Sequence, residues 1–297
     1  MQTYLIDASI FVFRAWFTIP DSMTDPDDNP VNAVYGFTRF LGDFLESVNP
    51  KYVAAAFDVS LTSSFRNDMY PDYKANRESA PPELKRQFAQ CREITRALGV
   101  RECADSRYEA DDLIGTLAVA MRNAGHTVTI VSRDKDLLQL LEEGDRFWDY
   151  IGNRDIAHDQ VVDAFGVRAE QMPDYLGLAG DSVDNIPGVP GIGPKTAAAL
   201  LAHFDLLEDI YADIERVGSL PLRGAKTLRK RLIEHREQAE LCRELARIRC
   251  DAPMNASEQS IARRSPAMDD LNELYDEAGF GPSLRRQAER IAGHWAG

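Results

Sequence analysis

The chain has 297 residues, 44% hydrophobic and 28% charged, with a formal net charge of −14. That composition supports a substantial core in one large domain or two modest ones, and it excludes disorder, collagen and coiled coil. No run approaches the roughly 18 apolar residues of a membrane span, Asp7 breaks any leader-like apolar start, and Cys91, Cys103, Cys242 and Cys250 are too dispersed for a disulfide framework or zinc site, so a cytoplasmic protein without membrane contact is expected.

In chain order, the first element is an apolar run, Tyr4-Leu5-Ile6, leading to Asp7. Val34, Phe37, Leu41, Phe44, Leu45 and Val48 then fall at helical spacing and form one buried stripe. A second apolar run, Tyr52 to Phe57, leads to Asp58. Leu113 to Met121 reads as another helix, stopped at Ala124-Gly125, and a third run, Val128 to Val131, leads to Asp134. Short continuous apolar runs alternating with helices imply a mainly parallel sheet in an α/β layer fold. Ligands collect beyond the carboxyl ends of such strands, and three strands here each deliver an acid to that edge.

Between Ser60 and Gln90 the alternation fails, and a connection that long is usually functional. Beyond about residue 165 the strand patterns end and helices dominate. Val217 to Cys250 carries nine Lys/Arg against four Glu, so the acidic average hides a basic segment.

Glu109-Ala110-Asp111-Asp112 opens the Leu113 helix, and with Ser106 it has the spacing of a capping box. Three acids in four residues exceed what capping needs. With Asp7, Asp58, Asp134, Asp136, Asp181 and Asp184, nine acids from five segments point to one edge. Converging, they could not all stay ionised without cations. A carboxylate-only set suits magnesium or manganese, and paired ions held this way hydrolyse phosphodiesters. A haloacid-dehalogenase reading fails because Ser9 stands where the second aspartate is needed.

Asn185 to Thr196 is rich in glycine and proline and precedes the helical run Ala197 to Leu201. Such a turn feeding a helix start can hold a backbone phosphate, and Lys195 with the basic segment after Leu222 favours that over a plain turn. Contacts of this kind hold duplex without reading its sequence.

These segments resemble the 5′-nuclease (5′–3′ exonuclease and flap endonuclease) family, including the N-terminal nuclease domain of bacterial DNA polymerase I. The matching stretches are Leu5-Ile6-Asp7-Ala8-Ser9, Phe57-Asp58, Phe65-Arg66, Tyr73-Lys74-x-x-Arg77, Glu109 to Asp112, Ser132 to Asp136, Gly180 to Gly193 and the closing Leu274 to Arg285. Thr62-Ser63-Ser64 is more polar than the family pattern.

The resemblance implies a PIN-like α/β core with a central mainly parallel sheet over 1–165, including a helical arch at about 60–90. It further implies a helix–hairpin–helix region over 166–254 and a helical extension over 255–297 packed on the core. Asp7, Asp58, Glu109 and Asp111 are implied to hold a first Mg2+, and Asp134, Asp136 and Asp184 a second. Asp112 and Asp181 would act through water or an outer layer, and Mn2+ could replace Mg2+. Lys74 and Arg66 are implied to be catalytic, at the reacting phosphate with Arg77, and Tyr73 to stack on a base. Gly188, Gly191, Gly193, Lys195 and Thr196 are implied to grip duplex, with a monovalent cation such as K+ at the hairpin. A free-standing monomeric nuclease is expected, acting on DNA with 5′ ends, flaps or junctions. A junction-binding protein with weak catalysis and a PIN-type ribonuclease are the alternatives.

Overall fold

The protein is described by a computed structural model over residues 1–59 and 62–294. Two residues of the expected arch (60–61) and the last three of the expected extension (295–297) lie outside the described residues. The first part of the chain runs β1 (Gln2–Asp7), α1 (Ala8–Thr18), α2 (Asn32–Val48), β2 (Tyr52–Asp58), α3 (Phe65–Met69), α4 (Pro82–Ala97), β3 (Arg101–Asp105), α5 (Ala110–Asn123), β4 (Thr127–Val131), β5 (Arg146–Asp149) and β6 (Arg154–Ala157). The six strands form one sheet in the order β3-β2-β1-β4-β5-β6. Every pairing is parallel except the antiparallel β5–β6 ribbon at one edge.

The central strands β1, β2 and β4 are the apolar runs of the sequence, buried on both faces. Their side chains alternate between two cores. Leu5, Ala54, Ala56, Val128 and Ile130 join the core under α5, whereas Ile6, Val53, Ala55, Phe57 and Val131 join the one under α1, α2 and α4. The register aligns Asp7 with Ala56 of β2 and Ile6 with Val131 of β4. The strands therefore end along one edge, with Asp58 two residues beyond the level of Asp7 and Asp134 three residues past the end of β4.

Helix α5 begins at Ala110, with Glu109 as N-cap and the Asp112 carboxylate accepting from the Glu109 amide at 3.0 Å. The cap is thus Glu109 and not Ser106, one turn later than the Ser106 spacing predicts. The helix stops at Ala124, as the sequence predicts, with Gly125 at φ +81° carrying the chain into β4.

Helices follow β6: α6 (Val161–Phe165), α7 (Met172–Ala179), α8 (Pro194–Leu201), α9 (Leu207–Ala212), α10 (Ile214–Val217), α11 (Ala225–Glu234) and α12 (Arg236–Ala246). Their apolar faces merge with the α5-side core. An extended stretch then leads to α13 (Glu258–Ile261), α14 (Met268–Glu277) and α15 (Pro282–His294). These last two pack on α4 and α2 across the other face. Gln287 donates to Asp43 and Glu46 of α2, and Arg290 pairs with Glu46. Among the described residues no helix is long and apolar enough to cross a membrane.

Among its described residues, the segment expected to form the arch is helical in α3 and the start of α4. Pro71 to Arg77 is a run of turns between them, and Pro82 sits in the first turn of α4. Pro71, Pro81 and Pro82 account for the interruption, since proline tolerates a helix start but not a helix interior.

Candidate active site

The carboxyl edge of the sheet gathers the acids. Asp7 caps α1 at the end of β1 and accepts from Ser132 Oγ at 2.7 Å. Ser132 Oγ in turn accepts from the Asp134 amide at 3.0 Å, so one hydroxyl joins the ends of β1 and β4. Asp58 ends β2, where its carboxylate accepts from the Ala110 amide at 2.9 Å and its own amide donates to Ser9 Oγ at 2.8 Å. The first turn of α5 is thereby fastened to β2.

Mutual repulsion divides the acids into two overlapping groups. Burial, then Asp58 and Asp134, push Asp7 up to about 7. Burial, then Asp134, Asp7 and Asp58, hold the Asp111 carboxyl well above the carboxylate range. Burial likewise raises Asp58 despite Lys74 nearby. On the other side burial and Asp134, with Asp181 and Asp184 behind, push Asp136 up to about 7. Asp134 belongs to both groups. The cause is common to all: desolvated like charges disfavour ionisation.

Two lysines stand among them. Lys74 Nζ donates to Glu109 Oε2 at 2.8 Å and lies 3.6 Å from Asp184. Burial pushes its ammonium down, but Glu109, Asp184 and Asp58 outweigh that, and it stays firmly charged. Lys135 bridges Asp136 at 3.1 Å and Asp181. At Asp181 burial pushes upward, but Lys135 together with the Val183 and Asp184 amides outweighs it and lowers the carboxyl. Arg77 pairs with Asp184.

Several expected site residues are placed differently from what the resemblance implies. Arg66 is buried, with both terminal nitrogens 2.8 Å from the Asp112 oxygens, Nε on Leu245 O and Nη2 on Arg247 O. It faces into the protein, because a buried carboxylate and two carbonyls satisfy its donors. Asp112 is wholly buried and also accepts from the amides of Glu109 and Arg249, which leaves it no lone pair toward the edge. Tyr73 is buried too, its hydroxyl 3.1 Å from both Glu109 and Asp184, so its ring is not offered to a base. The arch segment thus lies down on the acids.

The hairpin residues also separate. Gly188 sits at φ +63° against the backbone of Ala179 and Gly180, and Gly191 at φ +75° lies against Arg231. Both positions are fixed by the fold. Gly193, the N-cap of α8, has ordinary φ, and a Cβ there would meet nothing within 4 Å. Lys195 is exposed beside it and Thr196 half-buried. The sequence assigns no bonding role to Ser9, Ser132 or Gln139 and does not show Lys135 as a counter-ion; the structure does. Lys135 had a visible signal in its place between Asp134 and Asp136.

The donors fit divalent cations. They are all oxygens, and burial with mutual repulsion raises several of them, a cost that bound cations would relieve. As placed, no three His, Cys, Asp or Glu side chains among the described residues are grouped to hold one ion. Lys74 and Lys135 supply the positive charge there instead.

An acid-edged α/β sheet joined to a helical region is the two-part architecture of the 5′–3′ exonucleases. The sequence matches the 5′–3′ exonuclease N-terminal resolvase-like domain over residues 2–166 and the 5′–3′ exonuclease C-terminal SAM fold over 167–269, and the chain belongs to that 5′–3′ exonuclease family. It is 34% identical to the 5′–3′ exonuclease of Buchnera aphidicola subsp. Schizaphis graminum over 91% of this chain and 94% of that protein. It is 39% identical to DNA polymerase I of Bacillus caldotenax over 95% of this chain, and spans only 32% of that longer protein. Its fold is similar to the T5 D15 protein co-crystallised with metal ions (TM-score 0.68, 18% identity, 99% of each chain). It is also similar to the catalytic core of Rad2 in complex with DNA substrate (TM-score 0.63, 14% identity, 98% of this chain and 91% of that one).

Proposed function

We propose that this chain is a structure-specific 5′–3′ exonuclease and flap endonuclease that hydrolyses DNA phosphodiesters near 5′ ends and junctions in replication or repair. The observation that carries it is the convergence of carboxylates from five chain segments on one sheet edge, where burial and mutual repulsion raise Asp7, Asp111 and Asp136. Asp7, Asp58, Glu109 and Asp111 would hold one Mg2+, and Asp134, Asp136 and Asp184 a second, with Mn2+ able to substitute. Such ions polarise the attacking water and neutralise charge at the phosphate.

The chain's own residues do the rest. Lys74, released from Glu109 and Asp184, turns a preorganised cation toward the charge that builds in the transition state. Asp181 holds Lys135, and Asp112 holds Arg66. The open backbone at Gly193, with Lys195 and Thr196, receives a duplex phosphate at the start of α8, with a monovalent cation such as K+ read as bound at the hairpin. Residues 1–165, 166–254 and 255–297 are read as nuclease domain, duplex grip and supporting extension. The chain is read as acting as a monomer. Free thiols at all four cysteines support a reducing, cytoplasmic setting.

The test is cleavage of 5′-flap, nicked and single-stranded DNA of one sequence, with and without divalent metal. Binding without cleavage of any of them would favour a junction-binding protein. Cleavage of RNA alone would favour a ribonuclease.

A further inference from the structure

The acid edge and the hairpin lie in different parts of the chain, and a short strap fixes the distance between them. The chain leaves α12 in extended form at Arg247. Gln139 grips this exit with both ends of its amide. Its Nε2 donates to Ala246 O at 3.0 Å and to Asp136 O at 2.9 Å, while Oε1 accepts from the Ile248 amide at 2.9 Å. One side chain thus ties the Asp134–Asp136 loop to the end of α12.

Helix α12 carries the hairpin along. Gln238 donates to Gly188 O at 2.6 Å, and Gly177 of α7 lies so close to Arg243 that a Cβ would come within 2.9 Å of its backbone. Backbones in such contact move together. The path from Gly188 through α12 to Gln139 and Asp136 is therefore a continuous bonded ruler. Arg66 and Asp112 hold the same strap at Leu245, Arg247 and Arg249, but they also border Glu109. Gln139 touches no carboxylate oxygen and can be altered more cleanly.

We propose that Gln139 is a positioning residue that sets which phosphate, counted from the gripped duplex, reaches the acid edge. The inference rests on the nuclease reading above. Successive phosphates of one strand are about 3.4 Å apart along the helix axis, so a slack of that size in the ruler moves the cut by one nucleotide. A side chain that merely stabilised the fold would not select the position of the cut.

The experiment maps products at nucleotide resolution on an end-labelled 5′-flap of fixed junction, under single turnover with saturating full-length enzyme and Mg2+. Gln139→Met keeps the volume but removes both donors and the acceptor. It should raise the share of cuts displaced by a nucleotide or more several-fold, with duplex affinity close to wild type. Gln139→Glu keeps the acceptor for Ile248 but sets a carboxylate oxygen against the Ala246 and Asp136 carbonyls, so it should spread the cuts as well; it also serves if the Met variant melts too low to assay. A folded variant with the wild-type product pattern, or one whose cuts slow equally at every position, overturns the ruler. Failure of the wild-type chain to cut any DNA would instead overturn the nuclease reading.

Discussion

Arg66 and Asp112 form a bidentate pair, each terminal nitrogen 2.8 Å from one carboxylate oxygen, with both side chains shut away from solvent. Removing the guanidinium strands a buried charge, and breaking such a pair costs about 3–5 kcal/mol. Arg66→Ala should therefore lower the urea midpoint steeply and lose cleavage in step with folding. Normal stability with slow chemistry would return Arg66 to the reacting phosphate.

Lys74 gives the opposite expectation. Its ammonium is at the acid edge, 2.8 Å from Glu109, and losing a preorganised donor typically costs on the order of 10²–10³ in rate. Single-turnover cleavage of a 5′-flap by saturating Lys74→Ala should slow by about that factor, with affinity falling much less. A rate within a few-fold of wild type would remove Lys74 from the chemistry.

Metal dependence should be legible in stability as well as rate. Excess EDTA should abolish cleavage, and Mg2+ should restore it while raising the melting temperature, because ions that bind only the folded site stabilise it. Replacing Asp134 and Asp136 together with Ala should end cleavage yet raise the melting temperature of the metal-free protein. Asp134 is a source of the repulsion felt at Asp7, Asp111 and Asp136, and Asp136 is itself buried beside it. Cleavage near wild type in that variant would sink the two-ion assignment.

The hairpin glycines should part company. Gly193→Val meets open space and should melt like wild type while binding duplex more weakly, with a shallower salt dependence as fewer counterions are released. Gly188→Ala would place a Cβ 2.3 Å from the Gly180 nitrogen at a positive φ and should be destabilised outright. A salt series by fluorescence anisotropy beside thermal melts checks both. Unchanged affinity in Gly193→Val would make the segment a plain turn.

The strands that carry the acids were legible because Tyr4-Leu5-Ile6, Tyr52 to Phe57 and Val128 to Val131 are buried on both faces and so read as unbroken apolar runs. β3 escaped notice because Arg101-Glu102-Cys103-Ala104-Asp105 is a polar edge strand, and β5 and β6 are short and charged. The acids were visible as a set, but their partners were not. Spacing along the chain cannot show that Asp112 faces Arg66 while Asp111, one residue earlier, faces Asp7 and Asp134. The contacts that fix Tyr73 and Gln139 were hidden for the same reason: Glu109, Asp184 and Ala246 lie 36 to 111 residues away in sequence.

The shared strand edge has a consequence for how this family could vary. The positions of Asp7 and Asp58 are written in ladder register, Asp7 opposite Ala56 and Ile6 opposite Val131, and in no loop length. Sliding a strand by one residue would displace its acid by about 3.3 Å and also turn Leu5 and Ile6 into each other's cores. Insertions and deletions in the connecting segments can therefore reshape what the edge encounters while leaving its address untouched, and drift in the acids themselves is barred by the cost of repacking two cores at once.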